Sequence, residues 1–124
     1  MLIRFKKNME KIAMGLLSFM PDVKNDVKKL QNTIKEYESN PDWNLYLWKE
    51  DDDVLGAAGV RLENNCIIIQ HVSVNPSHRN LGIGKKMINE LIKLYDGEHK
   101  VLPSDDVQEF YLKCKDNHIQ NEEQ

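Results

Sequence analysis

Two closely spaced glycines, Gly82 and Gly84, sit in the segment V S V N P S H R N L G I G K K from Val72 to Lys86, with Arg79 ahead of them and Lys85 and Lys86 behind. This combination suits anion binding. The preceding run C I I I Q H V S V, Cys66 to Val74, reads as a mostly buried strand, and from Gly82 onward Met87, Ile88, Leu91, Ile92 and Tyr95 recur at helical spacing. The glycines therefore fall at a strand-to-helix turn. There, backbone N–H groups not yet used by the helix point outward, the helix dipole favours negative charge, and missing side chains let phosphates reach the backbone. Arg79 can clamp an oxygen, and Lys85 adds charge. Spacing excludes two common phosphate-binding patterns. A Walker loop needs its glycines further apart and a Ser or Thr after the lysine, where Lys86 stands. A dinucleotide fingerprint needs a third glycine in place of Met87 and its glycines directly after the strand, whereas Asn75 to Leu81 intervene.

The elements that would hold this turn can be traced along the chain. Leu2 to Phe5 is a short strand, and Met9, Ile12, Ala13, Leu16, Leu17 and Met20 form one helical stripe that Pro21 and Asp22 break. A second helix is expected from Val23 to Glu38, its seam formed by Val23, Val27, Leu30, Ile34 and Tyr37, with Asn40 and Pro41 ending it. Trp43 to Lys49 and Val54 to Leu62 read as strands joined by the acidic turn Glu50 to Asp53, and Glu63 to Asn65 turns the chain into the motif strand. Beyond the motif helix, Lys100 to Leu102 is expected as a short strand parallel to the motif strand, reached by a helical crossover. Ser104 is expected to cap a last helix, with Asp105 and Asp106 in its first turn.

The 124 residues are expected to form a single domain, 1–124, with one core. Hydrophobic residues at 40% and charged ones at 30% are ordinary globular values, and no apolar run is long enough to span a membrane. The N-terminal M L I R F K K does not read as a signal peptide, and Cys66 and Cys114 have neither C x x C nor zinc-type spacing. A cytoplasmic protein with free thiols and no metal is the expectation. A net charge of −3 gives no overall basic field, so nucleic acid is not an expected partner and the Arg79, Lys85, Lys86 cluster reads as a small-anion site.

The pattern V x V x P x x R followed by R x x G x G and a helix resembles the acetyl-CoA-binding motif of the GNAT (GCN5-related) N-acetyltransferase family. Val72, Val74, Pro76, Arg79, Gly82, Ile83 and Gly84 all fall where that pattern places them. The element order also follows the family's from Met1 to about Lys115. The resemblance implies an α/β (α+β) fold, the GNAT fold: a mixed, mostly antiparallel sheet flanked by helices, whose fourth and fifth strands run parallel and splay apart. The polar tail D N H I Q N E E Q does not read as the family's closing strands, so the C-terminal strands are expected to be truncated, leaving an open edge and, by association across it, a homodimer. More narrowly, the length, that early cut-off and the segments A M G L L S F M P and V N P S H R resemble the small RibT-type proteins of bacterial riboflavin operons.

For the site, the resemblance implies that acetyl-CoA is the cosubstrate, with its pantetheine arm bonded along Val72, Ser73 and Val74 like an added strand. Its diphosphate would lie on Arg79, Asn80, Leu81, Gly82, Ile83, Gly84 and Lys85. The segment F Y L K matches a family segment whose tyrosine faces the coenzyme sulfur, so Tyr111 is either the acid that protonates the departing thiolate or a core tyrosine. The glutamate that several members carry on the motif strand is replaced here by Ile67, Ile68 and Ile69, and the nearest titratable group is His71, suited to base work or buried as a structural histidine. Acceptor recognition would fall to Phe19, Met20, Pro21 and Asp22 with Trp43, Tyr46 and Trp48 nearby, and a flavin precursor is one acceptor associated with the riboflavin-operon likeness. Two classes of function stand: an N-acetyltransferase acting on a primary amine, or a catalytically silent acyl-CoA-binding or regulatory protein.

Overall fold

In the computed structural model, residues 1–79 and 81–114 are described, so Asn80, His118 and the rest of the tail expected to lack closing strands lie outside them. The chain runs β1 (Leu2–Arg4), a 3-10 turn (Lys7–Met9), α1 (Glu10–Leu17), α2 (Val27–Ser39), β2 (Trp43–Glu50), β3 (Asp53–Glu63), β4 (Cys66–Val74), a 3-10 turn (Pro76–His78), α3 (Ile83–Tyr95) and β5 (Lys100–Pro103). A final helix, α4, is described over residues 108–114. The five strands form one sheet in chain order, antiparallel from β1 to β4, with β4 and β5 parallel. None of the described helices is long and apolar enough to cross a membrane, and no described group of His, Cys, Asp or Glu could hold a metal ion.

The strand and turn signals translate closely. Asn64 and Asn65, both with positive φ, make the tight turn between β3 and β4, a conformation that asparagine tolerates well. Three expectations need correction. The first helical stripe ends at Leu17, and Met20 is buried from a turn. The second helix starts at Val27, not Val23, because the Asp26 carboxylate accepts from the Lys29 N–H at 3.0 Å and so caps the helix there. Ser104 does not cap α4: its hydroxyl is buried with no partner among the described residues, its N–H bonds the Ile69 carbonyl, and residues 105–107 form a turn before the helix.

The core is sandwiched between the sheet and its helices. Ala13, Leu16 and Leu17 of α1 and Ile34 of α2 are buried on one side, and Ile83, Met87, Ile88 and Leu91 of α3 on the other. A β-carbon on Gly56 would meet Met87 of α3, whereas one on Gly59 would meet Tyr37 of α2, so alternation along β3 identifies the two faces. The register slips between Gly59 and Val60, which pair with His71 and Ile69 and leave Gln70 as the extra residue of a bulge. As a result Gln70 and His71 both reach Tyr37 on the α2 side. Ladder pairing between β4 and β5 stops at Ile69 and Pro103, just before the bulge, and β4 continues to Val74 with no described partner on that edge.

Candidate active site

The open edge of β4 borders a cavity of about 580 Å³. Phe19, Met20 and Pro21 from the turn after α1 form one side, and Val72, Ser73 and Val74 of β4 the back. His78, Arg79 and Gly82 to Lys85 form one end, and residues from Asp106 to Cys114 close the far side. A second cavity of about 630 Å³, between β1, β2 and α3, carries Glu90 and Glu98 and none of the motif residues. The motif residues line the first.

The glycine turn opens α3 at the end of the cavity. Gly82 has φ of 78°, a left-handed conformation that costs other residues energy, and nothing lies within 4 Å of where its β-carbon would stand. It opens α3, whose first bond runs from the Lys86 N–H to the Gly82 carbonyl. The N–H groups of Ile83, Gly84 and Lys85 therefore precede the helical ladder, and these three residues border the cavity end. Gly84 borders the cavity and also seats α4 on α3, since a β-carbon there would collide with the Phe110 ring. Arg79 is held by its Nε donating to the Val74 carbonyl at 3.4 Å, with its guanidinium 5.6 Å from the Phe19 ring centroid. Lys113 adds a cation to the wall that the motif did not announce. His78 contributes a buried Nδ1 without a described partner.

Of the remaining residues read from the sequence, Val72, Ser73, Val74, Arg79, Gly82, Ile83, Gly84 and Lys85 border the cavity, whereas Leu81 is exposed and is not part of its wall. Ser73 turns its hydroxyl away, onto the Leu16 carbonyl. Trp43, Tyr46 and Trp48 lie on β2 away from this wall: Tyr46 bonds Tyr95 through their hydroxyls, Trp48 donates to Glu50, and Trp43 packs on Tyr37. The aromatic floor expected of them is replaced by Phe19 and Phe110.

The two titratable candidates lie just behind the wall. Tyr111 is buried, with its hydroxyl donating to the Val101 carbonyl of β5 at a long 3.5 Å, and burial pushes its phenol above the ordinary value. It stands one turn after Val107 and one before Cys114, both of which line the cavity. His71 is 5% exposed, with Nδ1 2.6 Å from the Tyr37 hydroxyl and Nε2 3.3 Å from Asp22 Oδ2. Both ring nitrogens are engaged, so the expected base has no open lone pair for an incoming amine proton. Burial lowers its pKa, against the opposing charges of Asp22 and Asp106, and leaves the ring neutral at pH 7.

Comparison with known proteins bears on the family and the fold. A family model described as the acetyltransferase (GNAT) family matches residues 12–115. A Bacillus methanolicus protein named an uncharacterized N-acetyltransferase in the lysA 3' region is 51% identical over 116 residues, covering 93% of this chain and 95% of its own. That name carries no link to a riboflavin operon. Among solved structures, a transcriptional regulator from Bacillus halodurans superposes with a TM-score of 0.69 at 15% identity, covering 91% of this chain and 89% of that one. The aminoglycoside N-acetyltransferase AAC(6')-Iy in complex with CoA has a TM-score of 0.67 at 16% identity, covering 92% and 85%. An aminoglycoside acetyltransferase from an uncultured soil metagenomic sample, in complex with sisomicin, gives 0.69 at 15% identity, covering 94% and 85%. At these identities the three structures share the fold.

Proposed function

This chain belongs to the acetyltransferase (GNAT) family, and from that premise we propose that it is an N-acetyltransferase that takes its acetyl group from acetyl-CoA and passes it to a primary amine. The observation that carries this reading is one cavity in which a strand edge unpaired among the described residues, Val72 to Val74, meets the residues opening α3. A diphosphate on those groups, beside Arg79 and Lys85, leaves a pantetheine arm to bond along β4 and brings the thioester to the bulge. The amine nitrogen forms its bond to the thioester carbonyl, the carbon–sulfur bond breaks, and CoA leaves as a thiolate that needs a proton.

We assign that proton to Tyr111. Burial keeps its phenol protonated, and the one described bond on its hydroxyl, to Val101, is long and readily given up. An alkylammonium with a pKa of about 10.4 must also lose a proton before it attacks, and with His71 engaged on both nitrogens that proton goes to water in the open cavity. The outer edge of β5, unpaired among the described residues, is where a homodimer would form.

Acetyl-CoA titration by calorimetry and thiol release over a panel of amines test the reading. Binding and turnover support it. The silent acyl-CoA-binding reading is favoured by one observation, the closed hydrogen-bonding of His71, and predicts binding without turnover.

A further inference from the structure

The second cavity, of about 630 Å³, shares no lining residue with the first and lies between a sheet wall and a helix wall. Arg4 of β1 and Asn44 and Tyr46 of β2 form the sheet side, with Arg4 and Tyr46 opposite each other in the β1–β2 register. Glu90 and Tyr95 of α3, and Glu98 just beyond it, form the helix side. The cavity therefore sits toward the end of α3 that is remote from the glycine turn. Its volume falls in the range of small-molecule sites, roughly 300–1,000 Å³.

The polar groups around it are positioned but do not satisfy one another. One bond, from Arg4 Nη2 to Asn44 Oδ1 at 2.7 Å, orients the guanidinium, and its other N–H groups have no partner among the described residues. The hydroxyls of Tyr46 and Tyr95 bond each other at 2.7 Å. Two hydroxyls carry two protons and that bond uses one, so a phenol proton is left over whichever oxygen accepts. Tyr46 is only 7% exposed, and burial, with the bond to Tyr46, pushes the Tyr95 phenol above its ordinary value, so Tyr95 keeps its proton at neutral pH. Among the described residues no ion pair joins Arg4 to Glu90 or Glu98. A cation and two anions thus face one space from different walls without meeting.

We propose that this cavity is a second small-molecule site, separate from the transfer cavity, and that it takes a zwitterionic aliphatic α-amino acid. The ligand's carboxylate accepts from the free guanidinium N–H groups of Arg4 and from the spare phenol proton. Its ammonium brings three donors to the Glu90 and Glu98 carboxylates on the helix side. Its side chain lies on Leu2 and Leu94, the aliphatic part of the lining. A plain carboxylate would suit Arg4 and be repelled by two glutamates, and a plain amine would meet the reverse mismatch. A ligand with both charges a few bonds apart complements both walls.

Calorimetry on the whole chain without acetyl-CoA tests this, because turnover is then absent from the readout. L-Leucine and L-norleucine are compared with isocaproate, which lacks the ammonium, and isoamylamine, which lacks the carboxylate. Amide NMR spectra locate the binding. The expected result is that an amino acid binds about tenfold or more tightly than either fragment and shifts the signals of Arg4, Tyr46, Glu90 and Tyr95, not those of Gly82 to Lys85. Arg4→Gln, and separately the double variant Glu90→Gln with Glu98→Gln, should each weaken that binding by about tenfold or more and leave acetyl-CoA affinity unchanged. All three side chains are exposed, so the fold should survive, and thermal melting checks it. Either variant makes the measurement if the other fails to fold. Binding of neither amino acid, equal binding of a fragment, undiminished binding by the folded variants, or shifts confined to the glycine turn overturns the site and leaves the transferase reading standing.

Discussion

Gly59 on β3 lies directly against the Tyr37 hydroxyl of α2, where a β-carbon would overlap the phenol oxygen. Its cross-strand partner is His71, so the missing side chain is what lets Tyr37 reach under the bulge and bond the imidazole. Gly59→Ala should push Tyr37 out of line and destabilise the protein by about 1–3 kcal/mol, the usual cost of overpacking a tight core. Urea unfolding measures the loss.

The buried imidazole also sets a pH dependence of stability. Asp22, Tyr37, Arg61 and Asp106 face or act on His71, and burial outweighs the carboxylates to hold its folded pKa below the unfolded value of about 6.5. Between those two values the unfolded chain binds more protons, so stability rises with pH there. The contribution is complete above about pH 6.5 and is lost as pH falls through the folded value. Melting temperature should drop on acidification through that window, and His71→Gln should lose that part of the drop.

The two motif glycines should fail differently. Gly82→Ala strains a left-handed turn by about 1–2 kcal/mol and crowds the N–H groups opening α3, so acetyl-CoA affinity should fall by about tenfold or more. Gly84→Ala meets Phe110, and its loss of stability should be relieved by adding Phe110→Ala. Calorimetry and thermal melting on the three variants separate the two mechanisms.

Tyr111→Phe removes a proton and little else. The long bond to Val101 should make its stability cost less than about 1 kcal/mol, whereas turnover with an accepted amine at saturating acetyl-CoA should fall by ~10²-fold. An unaltered rate would strip Tyr111 of the acid role.

Local pattern alone identified much of this molecule. The strand Cys66–Val74, the turn after it, the helix ending at Tyr95 and the short parallel strand beyond all follow from periodicity and turn chemistry, which neighbouring residues determine together. The start of the second helix does not follow in the same way: Val23 fits the apolar seam, yet the Asp26 carboxylate that caps Lys29 sets the start at Val27.

Contacts across the fold were not legible. Nothing near Gly84 indicates that Phe110 will lie on it, and the spacing of Trp43, Tyr46 and Trp48 does not say which cavity they face. His71 shows the limit most clearly, since its type invited a role as a base. A bulge at Gln70, a glycine at 59 and the path of the α1–α2 turn bring Tyr37 and Asp22 to its two nitrogens from distant parts of the chain. Sequence periodicity fixes which face a residue takes within its own element, but only sheet register and helix packing decide which polar atoms meet across elements, and that meeting decides whether a lone pair is free.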